Sequence, residues 1–137
     1  MTIGNWIINA KKRDAQLAVG YKDLKNKSTW LWMSWSEYID KVISCYTSIE
    51  SLGIQPKDHV GIMSSTRWEW AALDLALLGS GRVVVPMYPN LSDDDLLYII
   101  NHSDIKILVI ENKAHLAQIE RIKSNFEKKI QILKLQN

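Results

Sequence analysis

Residues 59–92, HVGIMSSTRWEWAALDLALLGSGRVVVPMYPNLS, carry the pattern that decides the fold. A five-residue apolar run, HVGIM, ends in three hydroxyl residues. An apolar stretch of helical length follows from about Arg67 to Leu78 and stops near Gly79. RVVVPMY then supplies a β-branched run that breaks at Pro86. Short runs that are apolar on both faces, separated by one helix each, are the signature of a parallel sheet covered by helices. Thr66 with Glu69 has the form of a capping box, in which a hydroxyl and an acid three residues on satisfy each other's backbone N–H groups.

The same rhythm extends in both directions. Downstream, Ser92 with Asp95 predicts the start of a helix through Leu96, Ile99 and Ile100. IKILVIE predicts a strand, Asn112 caps a helix through Leu116, Ile119, Ile122 and Phe126, and KIQILKL predicts a last strand. Upstream, Ser34 and Glu37 form a capping box before a helix with apolar residues at Tyr38, Ile39, Val42, Ile43, Tyr46, Ile49 and Leu52, and Gly53 stops it. Before that, QLAVGYKD and TWLWMSW predict two strands of a hairpin. The expected fold is therefore α/β: strand–helix repeats from residue 59 forming a parallel sheet with helices on both faces, preceded by an N-terminal β-hairpin and a helix.

Two features want more cover than 137 residues supply. The helix from Trp68 to Leu78 is apolar nearly all round, which implies burial on most sides. In TWLWMSW, Trp30 and Trp32 face one way and Leu31, Met33 and Trp35 the other, and both faces want burial. Residues 1–137 thus read as one incomplete part of a larger domain. The alternative is a free-standing α/β interaction module whose exposed tryptophans bind a partner protein.

Composition excludes several classes. The chain is 47% hydrophobic and 23% charged, with a net charge of +2, ordinary for a globular protein and without the basic excess of a nucleic-acid binder. Lys11, Lys12 and Arg13 read as a solvated helix face. The single cysteine, Cys45, precludes an internal disulfide and fits a reducing compartment. It sits among Val42, Ile43 and Tyr46 as a packed helix residue and not as a nucleophile. No apolar run approaches the roughly 18 residues of a membrane span, and the N-terminus lacks the order of a secretory signal. A cytoplasmic location is expected, with room for peripheral membrane association.

Chemistry is sparse. Gly79-Ser80-Gly81 precedes a strand where a phosphate loop would follow one. His59, His102 and His115 lack metal-ligand spacing and read as surface or capping residues. Asp93, Asp94 and Asp95 point in different directions around a helix, so they complement its macrodipole instead of building a metal site, and they would repel a phosphate. Ser64, Ser65, Thr66 and Arg67 could hold an anion at a strand-to-helix turn. Glu69 weakens that reading by belonging to the cap. Asp74 is either buried or exposed on its apolar helix.

These motifs resemble a family. MSWSEYIDKV is similar to the first core motif of adenylate-forming enzymes. Residues 60–92 resemble the next region, read as S-x-x-R-x-E-W, then D-L-A-L-L-x-x-G, then V-P-x-Y-P-x-L-S. P-x-Y-P followed by YIINHSDIKILVIEN looks most like long-chain fatty-acid–CoA ligases. Arg82 departs from the small residue usual there and puts the packing of the strand start in doubt.

The resemblance implies an N-terminal portion of a ligase that uses ATP and Mg2+ to convert a fatty acid to an acyl-adenylate and then to a coenzyme A thioester. It implies no catalytic residue in this chain, and the chain alone is expected to bind no cofactor. The family's phosphate loop and catalytic lysine lie later in the sequence. The resemblance places Tyr88, Pro89 and Asn90 at the nucleotide end of coenzyme A. The alternative is that Tyr88 plugs the end of the sheet and Ser92 only caps the helix. Open apolar surface at Trp30, Trp32, Trp68 and Trp70 leads us to expect self-association.

Overall fold

The computed structural model describes residues 2–23 and 25–135. In chain order the elements are α1 (Ile3–Ala10), a 3-10 turn (Lys11–Arg13), β1 (Leu17–Lys22), β2 (Trp30–Ser34), α2 (Trp35–Ser51), β3 (His59–Met63) and α3 (Trp68–Gly79). They continue with β4 (Val83–Met87), α4 (Asp93–His102), β5 (Ile105–Ile110), α5 (Lys113–Ile122), a second 3-10 turn (Lys123–Asn125) and β6 (Gln131–Lys134). They fall into two compact units. One runs to Gln55 and adds Arg67–Gly81; the other is Pro56–Thr66 with Arg82 onward.

The first unit holds the antiparallel β1–β2 hairpin and the helices α1, α2 and α3. Ser34 starts α2 as expected: its Oγ accepts from the Glu37 N–H at 3.2 Å, and the Glu37 carboxylate accepts from the Ser34 N–H at 2.7 Å. Gly53 takes φ +73° just past the end of α2, the left-handed conformation that a glycine adopts without strain. Ile39, Val42 and Ile49 of α2 and Ala72, Leu73, Ala76 and Leu77 of α3 are buried. The helix α1 does not show in the sequence; Lys11, Lys12 and Arg13, read as a solvated helix face, form the exposed 3-10 turn that follows it. Thr2 caps α1, and the helix closes on α3 through two glycines. A Cβ on Gly4 would stand 2.9 Å from the Gly79 carbonyl oxygen, and one on Gly79 would meet Ile7 Cδ1 at 2.7 Å. Trp35 opens α2 instead of closing β2, and it stacks edge-on with Trp6 and under Arg13.

The α3 cap differs from the expectation. Arg67, extended at φ −150°, is the N-cap residue and makes no capping bond with its side chain. Its guanidinium takes both oxygens of Glu69, at 2.8 and 2.7 Å. A two-pronged Arg–carboxylate bond is stronger than a neutral hydroxyl cap, so Glu69 goes to Arg67 and the Thr66 box does not form. Asp74 is half-buried, and burial raises its carboxyl above the ordinary range. Burial also pushes the Tyr38 phenol up to about 12, with smaller contributions from Cys45 and Asp74.

The second unit is a four-stranded parallel sheet in the order β4-β3-β5-β6. Met63, Met87, Leu96, Ile100, Leu108, Ile110, Ile119 and Ile122 join strands, α4 and α5 in one core. The residues on the opposite face of the central strands, Val60, Ile62, Ile107 and Val109, are buried as well. This two-sided burial is why β3 after His59 and β5 after Lys106 read as apolar runs. Pro86 lies on β4 at the sheet edge. The Val83 N–H donates to Asp58 O in the direction of β3. Strand alternation then turns position 86, which has no N–H, away from β3. Arg82 is 4% exposed, so its length does not loosen the strand start. The helix α5 ends at Ile122 and Phe126 lies beyond the following 3-10 turn, one turn short of the expected boundary.

Replacing Ser34 by Ala removes one half of the α2 capping box. The expected loss is about 1 kcal/mol of stability, measured as a lower urea midpoint at unchanged m-value, with Ser34→Asp close to the parent.

Candidate functional site

Open α/β sheets present ligands at the carboxyl ends of their strands, where the strand order reverses. Here the chain leaves β3 for β4 on one side and β5 for β6 on the other, so the reversal lies between β3 and β5. Ser64 and Ser65 follow β3, and Glu111 follows β5. The Glu111 N–H donates to Met63 O at 3.2 Å, which extends the ladder by one bond. Its carboxylate accepts from the Ser65 N–H at 2.8 Å and from the Ser65 Oγ at 2.9 Å, with Ser64 Oγ at 3.4 Å. The turn does hold an anion, as its hydroxyls suggest, and that anion is the chain's own glutamate. Arg67, the cation expected in the same role, is paired with Glu69. Glu111 is the last letter of IKILVIE, and its role does not show in the sequence. An acid directly after a buried strand is the signal that could have found it.

The loop after β4 carries the three residues singled out from the sequence. Tyr88 is 81% exposed, so it does not plug the sheet end. Pro89 is half-buried and Asn90 exposed. Pro86 and Pro89 fix two φ angles on either side of Tyr88.

The root of this loop is tied to α5. The buried Gln118 donates from Nε2 to Leu91 O at 2.9 Å and to Asp93 Oδ1 at 3.0 Å. Arg121 donates to both oxygens of Asp93, at 3.1 and 2.9 Å. Ser92 caps α4 by accepting from the Asp95 N–H, and its Oγ–H donates to the Asp95 carboxylate at 2.7 Å. The three aspartates thus have three separate surroundings. Arg121, and then Gln118, hold the Asp93 carboxyl below the ordinary carboxylate range. Asp94 lines an open groove of about 400 Å³ along α4 with Leu97, Tyr98, Asn101, His102 and Glu127.

The remaining candidates stay apart. His59 Nδ1 lies 2.6 Å from Ser103 O at the opposite end of β3, and His102 stacks on Tyr98 at 5.3 Å. His115 is 6% exposed and its Nδ1 has no partner among the described residues, so it is a core residue and not the surface residue its first-turn position suggested. Burial pushes the Cys45 thiol up, against any nucleophilic role. Among the described residues no three of His, Cys, Asp and Glu could hold a metal ion, and no helix is long and apolar enough to cross a membrane. The loop after β4 presents an exposed aromatic ring and an exposed amide on a stretch stiffened by two prolines.

An α/β sheet of this order, preceded by an antiparallel hairpin, matches the N-terminal domain of adenylate-forming enzymes. The chain belongs to the AMP-binding enzyme family, whose profile matches residues 8–136. It is similar to the N-terminal domain of FACL13 from Mycobacterium tuberculosis, solved with an inhibitor, at TM-score 0.83 and 17% identity over 98% of this chain and 33% of that one. The anthranilate CoA ligase AuaEII, solved with anthranoyl-AMP, is similar at TM-score 0.81 and 15% identity over 98% and 25% of the two chains. In sequence it is 31% identical to the long-chain-fatty-acid–CoA ligase FadD15 of Mycobacterium bovis over 68% of this chain and 16% of that protein. It is 29% identical to the fatty acyl-CoA synthetase A of Dictyostelium discoideum over 64% and 13%. The aligned part is about one sixth or less of these curated relatives.

The Asp93–Arg121 pair yields a titration test. A carboxyl whose pKa is lowered on folding contributes stability above its unfolded pKa and loses it as the pH falls through the folded value. Arg121→Ala is expected to move the Asp93 midpoint up toward the ordinary carboxylate value, read by carboxyl carbon-13 NMR. An unchanged midpoint would show that the pair does not hold the loop root.

Proposed function

We propose that this chain forms the N-terminal part of a long-chain fatty-acid–CoA ligase and contributes one edge of its coenzyme A site. The family match over residues 8–136, with fatty-acid–CoA ligases as the similar curated proteins, carries the reading. In that reaction a fatty-acid carboxylate attacks the α-phosphorus of ATP and releases pyrophosphate. The coenzyme A thiol then displaces AMP from the acyl-adenylate.

The described residues do not fit a triphosphate. A triphosphate needs converging N–H groups and a cation. The Ser65 N–H is taken by Glu111, and the Arg67 fork by Glu69. On this reading ATP and Mg2+ are held by parts of the ligase other than these residues.

Coenzyme A fits better. Tyr88 presents an exposed ring on a loop stiffened by Pro86 and Pro89, and Asn90 adds an amide beside it. An aromatic face of this kind suits adenine, with Pro89 as its apolar flank. Arg121 neutralises Asp93 at the loop root, which lowers the repulsion that three acids would otherwise exert on a nearby phosphate. The base and ribose remain the natural contacts of Tyr88 and Asn90.

Two measurements check this. Titration of the chain alone with Mg-ATP should give no saturable heat; a micromolar dissociation constant would contradict the assignment of ATP to other parts. In a ligase that carries this chain, Tyr88→Ala should raise the KM for coenzyme A about tenfold and leave fatty-acid-dependent pyrophosphate exchange nearly unchanged. An equal fall in both half-reactions would make the loop structural.

A further inference from the structure

The buried side of α5 carries His115, Gln118, Ile119 and Ile122, at the spacing of one helix face. An apolar residue is the ordinary occupant of the second of these places. Leu96 and Ile100 of α4 share one core with Ile119 and Ile122 of α5, and these contacts call for no amide. Gln118 is nevertheless 9% exposed. Its Nε2 donates twice to the segment that leads from the Tyr88 loop into α4, to Leu91 O at 2.9 Å and to Asp93 Oδ1 at 3.0 Å. The Leu91 side chain packs against the same core. The loop is therefore fixed at both ends. Before it, the buried Met87 pairs with Met63 in the β4–β3 ladder. After it, Gln118 sets the direction of the Leu91 carbonyl. Only Tyr88, Pro89 and Asn90 lie between these anchors, and Pro89 has a fixed φ.

We propose that Gln118 is a positioning residue for coenzyme A: it orients the Leu91 carbonyl and thereby holds the Tyr88 ring where the ligand meets it. This role rests on the coenzyme A reading above and gives that site a support outside the loop. A polar side chain in an apolar stripe departs from what packing alone would select, and such departures collect at functional sites. The neighbouring contacts have other parts. The Arg121 guanidinium is taken by Asp93, the first residue of α4. Ser92 caps α4 through the Asp95 N–H, so the helix start stands without Gln118. What Gln118 adds is the direction of one peptide plane at the end of a short span. Loss of that anchor widens the range of Tyr88 orientations, and coenzyme A then meets a smaller population of the competent one.

The test is Gln118→Met, which keeps the length and the burial of the side chain and removes both donors. In the chain itself, backbone nitrogen-15 order parameters at Tyr88, Asn90 and Leu91 should fall, while the urea midpoint stays near that of the parent. In a ligase that carries this chain, the KM for coenzyme A should rise about fivefold, the loss expected for one hydrogen bond. Fatty-acid-dependent pyrophosphate exchange should stay nearly unchanged. Because Gln118 acts through Tyr88, the same substitution should add little in a Tyr88→Ala background. Gln118→Asn, whose amide falls one carbon short of Leu91, gives the same readouts where the methionine variant does not fold. Unchanged order parameters, or full additivity with Tyr88→Ala, would overturn the proposal. An equal fall in both half-reactions would also overturn it and make Gln118 a residue of the fold alone. If Tyr88→Ala raises the coenzyme A KM and Gln118→Met does not, the coenzyme A reading stands and the role of Gln118 falls. If neither variant moves that KM, both fall.

Discussion

Strands β3 and β5 lie side by side although α3, β4 and α4 separate them in sequence, and their pairing sets where the rest of the second unit can go. Both are buried on two faces over their C-terminal parts, residues 60–63 and 107–110, and their polar residues, His59 and Lys106, stand at their starts. The ladder between them runs on through the Glu111 N–H to Met63 O, and the Glu111 side chain then turns back to close the Ser64–Ser65 turn. A carboxyl group at the end of the central strands is thereby held in place by the fold itself. Any ligand at this edge would approach a turn whose Ser65 N–H and hydroxyl are already engaged by Glu111.

The loop after β4 is held from behind. Gln118 is buried on α5 yet directs its amide to Leu91, just ahead of α4, and to Asp93, the first residue of α4. A polar group in that position costs stability unless satisfied, and both of its bonds go to the loop root. Tyr88 is thus exposed without being loose at its base. The prolines restrict the chain before and after it, and α5 anchors the residues that lead into α4.

Much of the fold is legible from periodicity. The strands and the helices α2, α4 and α5 stand near their expected positions because the sequence alternates strand-length apolar runs with capped helices. The features that escape the sequence depend on partners distant in it or on competition between neighbours. The α3 cap is ambiguous by spacing because Glu69 has two suitors, Thr66 and Arg67, and only geometry shows the guanidinium taking it. His115 looks like a surface residue because a first-turn position says nothing of what covers it. The helix α1 escapes because IGNWIINA is short and lacks an acid three residues beyond Thr2. At the candidate site, Tyr88, Pro89 and Asn90 stand out as an unusual string, whereas Glu111 and Gln118 are single polar letters in ordinary segments.

Pro86 gives the sheet a direction of growth. Its missing N–H faces away from β3, so a strand added beyond β4 would find one rung absent from its ladder. β6, at the other edge, has no proline among Gln131–Lys134, and its outer backbone donors are of the ordinary kind. The two margins of the sheet are therefore chemically unequal. A strand added beside β4 would lack the rung at Pro86, whereas none of Gln131–Lys134 lacks a backbone N–H.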